Sequence, residues 1–68
     1  MSYLVLTRRE GEKITLRVQP GTEADDLLAQ LLLEGITIEL KDIDGNRAKI
    51  AIEAPQDLQI LRAELEEA

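Results

Sequence analysis

The 68-residue chain contains neither histidine nor cysteine, so hydrolytic triads, HExxH zinc sites and thiol chemistry are all excluded. Acids do occur in pairs, at Asp25-Asp26 and Glu66-Glu67. Neighbouring helix positions point in different directions, however, so solvation explains these pairs better than acid–base catalysis. Glycines 11, 21, 35 and 45 are isolated and form neither a GxxxxGK[ST] nor a GxGxxG loop. No cofactor and no metal is expected, and the chain does not read as an enzyme. Binding chemistry is left to the arginines. Arg8 and Arg9 follow one apolar run and Arg62 ends another, and guanidinium groups at strand ends offer forked donors to phosphate or base edges. On their own these residues more often pair with a nearby acid, here Glu10 or Glu12. The single aromatic residue, Tyr3, provides no platform for stacking bases.

The elements that must position these arginines follow from periodicity. Tyr3-Leu4-Val5-Leu6-Thr7 is a continuous apolar run, suited to a strand covered on both sides, with a second subunit as the second cover. Arg8-Arg9-Glu10-Gly11 reads as a turn into a half-buried strand in which Ile14, Leu16 and Val18 alternate with polar residues, which predicts a hairpin of the first two strands. Pro20-Gly21 ends it. Thr22 is the expected N-cap of a helix over about 22–34, with Asp25 in a short capping box and Gly35 as the C-terminal cap. Ala24, Leu27, Leu28, Leu31 and Leu32 give this helix an apolar stripe for packing. Two further alternating runs flank Asp44-Gly45, a signal for a type I′ hairpin. Ala54-Pro55 breaks the ladder, and Leu58-Gln59-Ile60-Leu61 forms a short fifth strand. The fold class is therefore mainly β with one inserted helix, in the order β-β-α-β-β-β. Residues 63–68 read as an acidic tail or a single helical turn.

A chain of this size buries only about 60% of its unfolded surface by itself, and without disulfides or metals the remaining route to stability is self-association. The net charge of −6 weighs against nucleic acid, since phosphate affinity comes mainly from Lys and Arg. Its distribution softens that objection. Residues 22–34 hold four acids and no base, the tail adds Glu64, Glu66 and Glu67, and all other positions together carry one net positive charge. No stretch approaches the roughly 20 apolar residues of a membrane span, and the first residues lack a signal-peptide pattern, so a cytoplasmic location is expected.

Two blocks of the sequence resemble the carbon storage regulator family of bacterial translational repressors, also called the repressors of secondary metabolites. The first is Leu4-Val5-Leu6-Thr7-Arg8-Arg9-Glu10-Gly11-Glu12. The second covers residues 35–64 and contains Gly45-Asn46-Arg47-Ala48-Lys49-Ile50-Ala51-Ile52-Glu53-Ala54-Pro55. Together they take in about 39 of 68 residues, in order and with matching spacing. The helix at 22–34 lies where typical members have a short connection, which is similar to a variant branch with the helix inserted between the second and third strands. Ala51 stands at a usual glycine, a change that matters only if the position needs positive φ or a close backbone approach.

The resemblance implies that residues 1–68 form a single RNA-binding domain. It implies an intertwined homodimer in which the first and last strands pair with strands of the partner. It also implies two sites for GGA-containing hairpin or single-stranded mRNA and small RNA, so that binding across a ribosome-binding site represses translation. Carried over by position, Leu6, Thr7, Arg8 and Arg9 form one wall. Ala54, Pro55, Leu58, Ile60 and Arg62 of the other chain form the second, with Arg62 as a clamp. For Leu6, Leu58 and Ile60 packing is an equally good reading, and Arg47 and Lys49 are fringe positions for long-range attraction. Some members of the family have a protein antagonist. The alternative is a protein-interaction module of the same fold with little RNA affinity.

Overall fold

The computed structural model describes residues 2–62, which fold as β1 (Ser2–Arg9), β2 (Ile14–Val18), α1 (Ala24–Leu33), β3 (Thr37–Asp44), β4 (Arg47–Ala54) and β5 (Leu58–Arg62). Element order and type follow the periodicity of the sequence, and the acidic tail at 63–68 lies outside the described residues. Among the described residues, no helix is long and apolar enough to cross a membrane.

β4 is the centre of a three-stranded antiparallel sheet with order β1-β4-β3. Its register sets Leu4 against Ile52 and Leu6 against Ile50 on one edge, and Ile38 against Ile52 and Leu40 against Ile50 on the other. With a side-chain period of two, these residues line one inner face, while Tyr3, Val5, Thr7 and Arg9 of β1 point outward. The spacing from Leu40 to Ile43 would break that period. A bulge between Leu40 and Asp42 absorbs the extra residue, returning Ile43 to the inner face and setting Asp42 against Lys49.

The β3–β4 turn departs from expectation. Asp44 pairs with Arg47 as the last strand residue, so Gly45 and Asn46 are the central pair. Gly45 has φ +62°, and no described residue other than glycine has positive φ, so the signs match a II′ turn with glycine at its first central position. The same observation settles Ala51, which adopts ordinary strand backbone and is buried between β1 and β3.

β2 and β5 form a separate antiparallel ribbon, with Leu16 opposite Ile60 and Val18 opposite Leu58. One expectation is thereby corrected. β1 and β2 do not form a hairpin ladder; Arg8 and Arg9 belong to β1, and a tight turn closed by the Glu12 N–H on the Arg9 carbonyl (3.0 Å) sends the chain into the other sheet. Within the chain, the first and last strands lie in different sheets, β1 on β4 and β5 on β2. The Arg9–Glu12 turn takes the chain out of the β1 ladder, and the long connection at 19–36, which holds a whole helix, leaves β2 free to pair with β5.

α1 starts one residue later than the sequence suggests. Glu23 is its N-cap and makes no side-chain capping bond, and Thr22 belongs to the preceding turn, its N–H on the Gln19 carbonyl at 3.2 Å. The predicted C-terminal end holds, with Glu34 as C-cap followed by Gly35 at φ +69°. No residue of α1 is buried; Leu27, Gln30 and Leu31 are half-buried, while Leu28, Leu32 and Leu33 are exposed. The core consists of Leu6, Ala51, Ile52, Ala54, Pro55 and Leu58. The radius of gyration is 13.2 Å, against about 11 Å for a compact chain of this length, and the molecule is only 14 Å thick along its shortest axis.

Candidate nucleic-acid interface

Antiparallel pairing of β1 with β4 brings the C-terminal end of β1 beside the N-terminal end of β4. Arg9 lies directly opposite Arg47, and Thr7 opposite Lys49. Across the other edge of β4, Arg47 faces Asp44 and Lys49 faces Asp42. The outer face thus carries two rows, Arg9-Arg47-Asp44 and Thr7-Lys49-Asp42, with the cations along β1 and β4 and the acids on β3. Like charges opposite each other oppose pairing, so the Arg9–Arg47 juxtaposition contributes nothing to the ladder itself. It does leave two guanidinium groups and an ammonium able to meet one anionic chain.

Two depressions bound this cationic end. One, of about 200 Å³, is lined by Thr7, Asp42, Asp44, Arg47 and Lys49. The other, of about 450 Å³, lies at the sheet tip between Arg8, Arg9 and Gly11 on one side and Gly45, Arg47 and Ile50 on the other. The Arg9 backbone N–H donates to the Glu12 carboxylate at 2.7 Å, and the same two residues close the turn. Glu12 is therefore engaged by backbone there, while the Arg9 side chain faces outward.

Arg8 differs from its neighbour. It is only 8% exposed, with Nε donating to the Thr7 carbonyl at 3.0 Å and Nη1 to the Lys13 carbonyl at 3.2 Å. It points to the inner side and fastens the end of β1 to the approach of β2. Leu6 is likewise core, at 1% exposure. Of the first predicted wall, Thr7 and Arg9 share the outer surface with the fringe residues Arg47 and Lys49, whereas Leu6 and Arg8 lie behind it.

The second wall is spread along the molecule. Ala54, Pro55 and Leu58 are buried, and Ile60 and Arg62 are half-buried on β5. Ala54 pairs with Ser2 and Arg9 with Arg47, so Arg9 and Ala54 stand about 23 Å apart at 3.3 Å per residue. Arg62 is at the opposite end from Ala54. It pairs with Ile14, next to Lys13, whose carbonyl holds Arg8. A single chain therefore brings Arg8 and Arg62 towards one end and leaves Ala54, Pro55 and Leu58 at the other.

Gln19, Gln30 and Asp57, absent from the sequence reading, form a polar set beside the second wall. The Gln19 N–H donates to the Asp57 carbonyl at 2.8 Å and its side-chain amide to the Gln56 carbonyl at 3.0 Å, while the Gln30 amide donates to the Asp57 carboxylate at 2.9 Å. No sequence periodicity marks such residues, because loop partners are set by tertiary placement. Among the described residues there is no group of three or more acids placed to hold a metal ion.

Residues 3–68 match the global regulator protein family CsrA. The translational regulator CsrA of Thermotoga petrophila is 44% identical over 64 residues, covering 94% of this chain and 58% of that protein. The translational regulator CsrA of Geotalea uraniireducens is 36% identical over 62 residues, covering 91% of this chain and again 58% of the relative. The chain thus spans somewhat more than half the length of the curated relatives it matches. With the match running through all five strands, this chain belongs to the CsrA global regulator protein family.

Proposed function

We propose that the chain is a post-transcriptional regulator of translation, a cytoplasmic homodimer that binds GGA-containing mRNA leaders and small RNAs. Binding across a ribosome-binding site then excludes the ribosome, with no catalytic step. The observation that carries this reading is the cationic end formed by Arg9, Arg47 and Lys49 around Thr7, in a chain of the CsrA family. Relatives bearing the name translational regulator support the biological level at which it acts.

Burial supports the homodimer. Ile38, Leu40 and Ile43 point to the inner face yet are exposed, and the outer edges of β1 and β3 have no ladder partner among the described residues. A second copy covers these faces and supplies the other wall, so that Leu6, Thr7, Arg8 and Arg9 of one protomer work with Ala54, Pro55, Leu58, Ile60 and Arg62 of its partner. Leu6, Ala54, Pro55 and Leu58 act by holding backbone in place. Arg9 and Arg62 meet phosphate and base edges, and Arg47 and Lys49 extend the attraction.

Titration of a fluorescent hairpin with GGA in its loop, against the same hairpin with CCA, tests this reading. Tight GGA-dependent binding at two RNAs per dimer, weakening steeply with salt, is expected. Arg62→Ala weakens it by roughly 1–3 kcal/mol and leaves the dimer intact, as for loss of one charged clamp. Equal affinity for both hairpins at low salt overturns the proposal. That result favours the second reading, a protein-interaction module, which draws on the exposed Leu28, Leu32 and Leu33 of α1 beside Glu23, Asp25, Asp26 and Glu34.

A further inference from the structure

The turn from β4 to β5, residues 55–58, is closed by the Leu58 N–H donating to the Pro55 carbonyl at 3.0 Å. Gln19 takes the next two carbonyls, those of Gln56 and Asp57. The side chain of Asp57 then points at α1, where its carboxylate accepts from Gln30 Nε2 at 2.9 Å in a half-buried contact. The same amide nitrogen lies 3.3 Å from the Asp26 carbonyl one turn earlier, so Gln30 bridges the helix backbone and the turn. α1 buries no residue, and apolar packing alone fixes it weakly. A hydrogen bond to a carboxylate is among the stronger polar links available.

We propose that Gln30 is a positioning residue for the RNA site, through which the inserted helix sets the conformation of the turn at 55–58. The inference rests on the RNA reading above and extends it to a segment that contributes no wall residue. Two effects follow from the geometry. The bond holds the turn that carries Pro55 and Leu58, and it keeps the Asp57 carboxylate turned towards α1, away from any phosphate approaching the wall.

The test is a double-mutant cycle of Gln30→Ala and Asp57→Ala in the full-length dimer, read by GGA-hairpin and CCA-hairpin affinity, oligomer mass and hydrogen exchange at the Leu58 amide. Gln30→Ala is expected to weaken GGA binding about three- to tenfold, the net scale of one half-buried hydrogen bond. CCA affinity and oligomer mass stay at parental values, and Leu58 exchanges faster. The double variant is no weaker than Gln30→Ala alone, and Gln30→Lys, which keeps a donor for Asp57, restores slow exchange and GGA preference. If the parent prefers GGA while Gln30→Ala binds equally well, or if the two substitutions are additive, the inference fails alone. A parent that does not distinguish GGA from CCA overturns the RNA reading and the inference with it.

Discussion

β4 has an eight-residue neighbour on each edge, β1 and β3, and both present alternating apolar residues to the same inner face. On the β1 side Leu6 is 1% exposed and Leu4 half-buried; on the β3 side Ile38 and Leu40 are 62% and 57% exposed. Both strands pair along the length of β4, β3 with one bulge, so the difference lies in the layer above. Leu58 and Ile60 of the β2–β5 ribbon border a cleft with Ser2 and Leu4 of β1, whereas Ile38, Leu40 and Ile43 of β3 stay exposed. Ladder formation and burial are separate events. A two-residue turn is sufficient for the first, while the second needs a surface that this chain supplies to only half of its sheet.

The largest effect that sharpens this contrast is expected at Leu6. Leu6→Ala lowers stability by about 2–5 kcal/mol, as for a fully buried leucine, measured by urea unfolding at fixed protein concentration. Leu40→Ala comes next. Covered by a second copy, it loses about 1.5–3 kcal/mol of burial, with an unfolding midpoint that falls on dilution of the protein. A Leu40→Ala effect near zero with a concentration-independent midpoint would show that β3 remains bare in solution, and equal effects at Leu6 and Leu40 would break the contrast. The smallest is at Lys49 on the outer face. Lys49→Ala removes the cross-strand partner of Asp42 and changes stability by about 0.2–1 kcal/mol in the same assay.

Much of the fold is legible in the sequence because its determinants are local. Alternation marks the strands, the Leu27-Leu28-Leu31-Leu32 spacing marks α1, and Gly35 marks its end. Pairing is a different matter. Alternation tells which face of β1 is apolar, but not whether β2 or β4 lies beside it, and the obvious hairpin lost to a ladder formed across most of the chain. Thr22 has the right chemistry for a cap and is claimed by a turn instead. At the site, the separation of Arg8 from Arg9 follows from the period of two. The opposition of Arg9 to Arg47 needs the β1–β4 register, which no local motif encodes, and so Arg47 and Lys49 read as fringe positions although the sheet places them beside Thr7 and Arg9.

The bulge at Lys41 has a consequence for assembly. A straight, unprotected strand edge is a template on which identical chains add without limit, the route to insoluble fibres. In β3 the ladder with β4 shifts register at Lys41, and the neighbouring Glu39, Lys41 and Asp42 place charge along the strand, with Lys41 and Glu39 3.5 Å apart in an exposed ion pair. Runaway stacking on this edge must therefore bring together charged residues on a kinked backbone, whereas a closed arrangement of few chains can cover the apolar side and leave the kink in water. The irregularity that keeps Ile43 facing inward also acts as a gatekeeper against polymerisation.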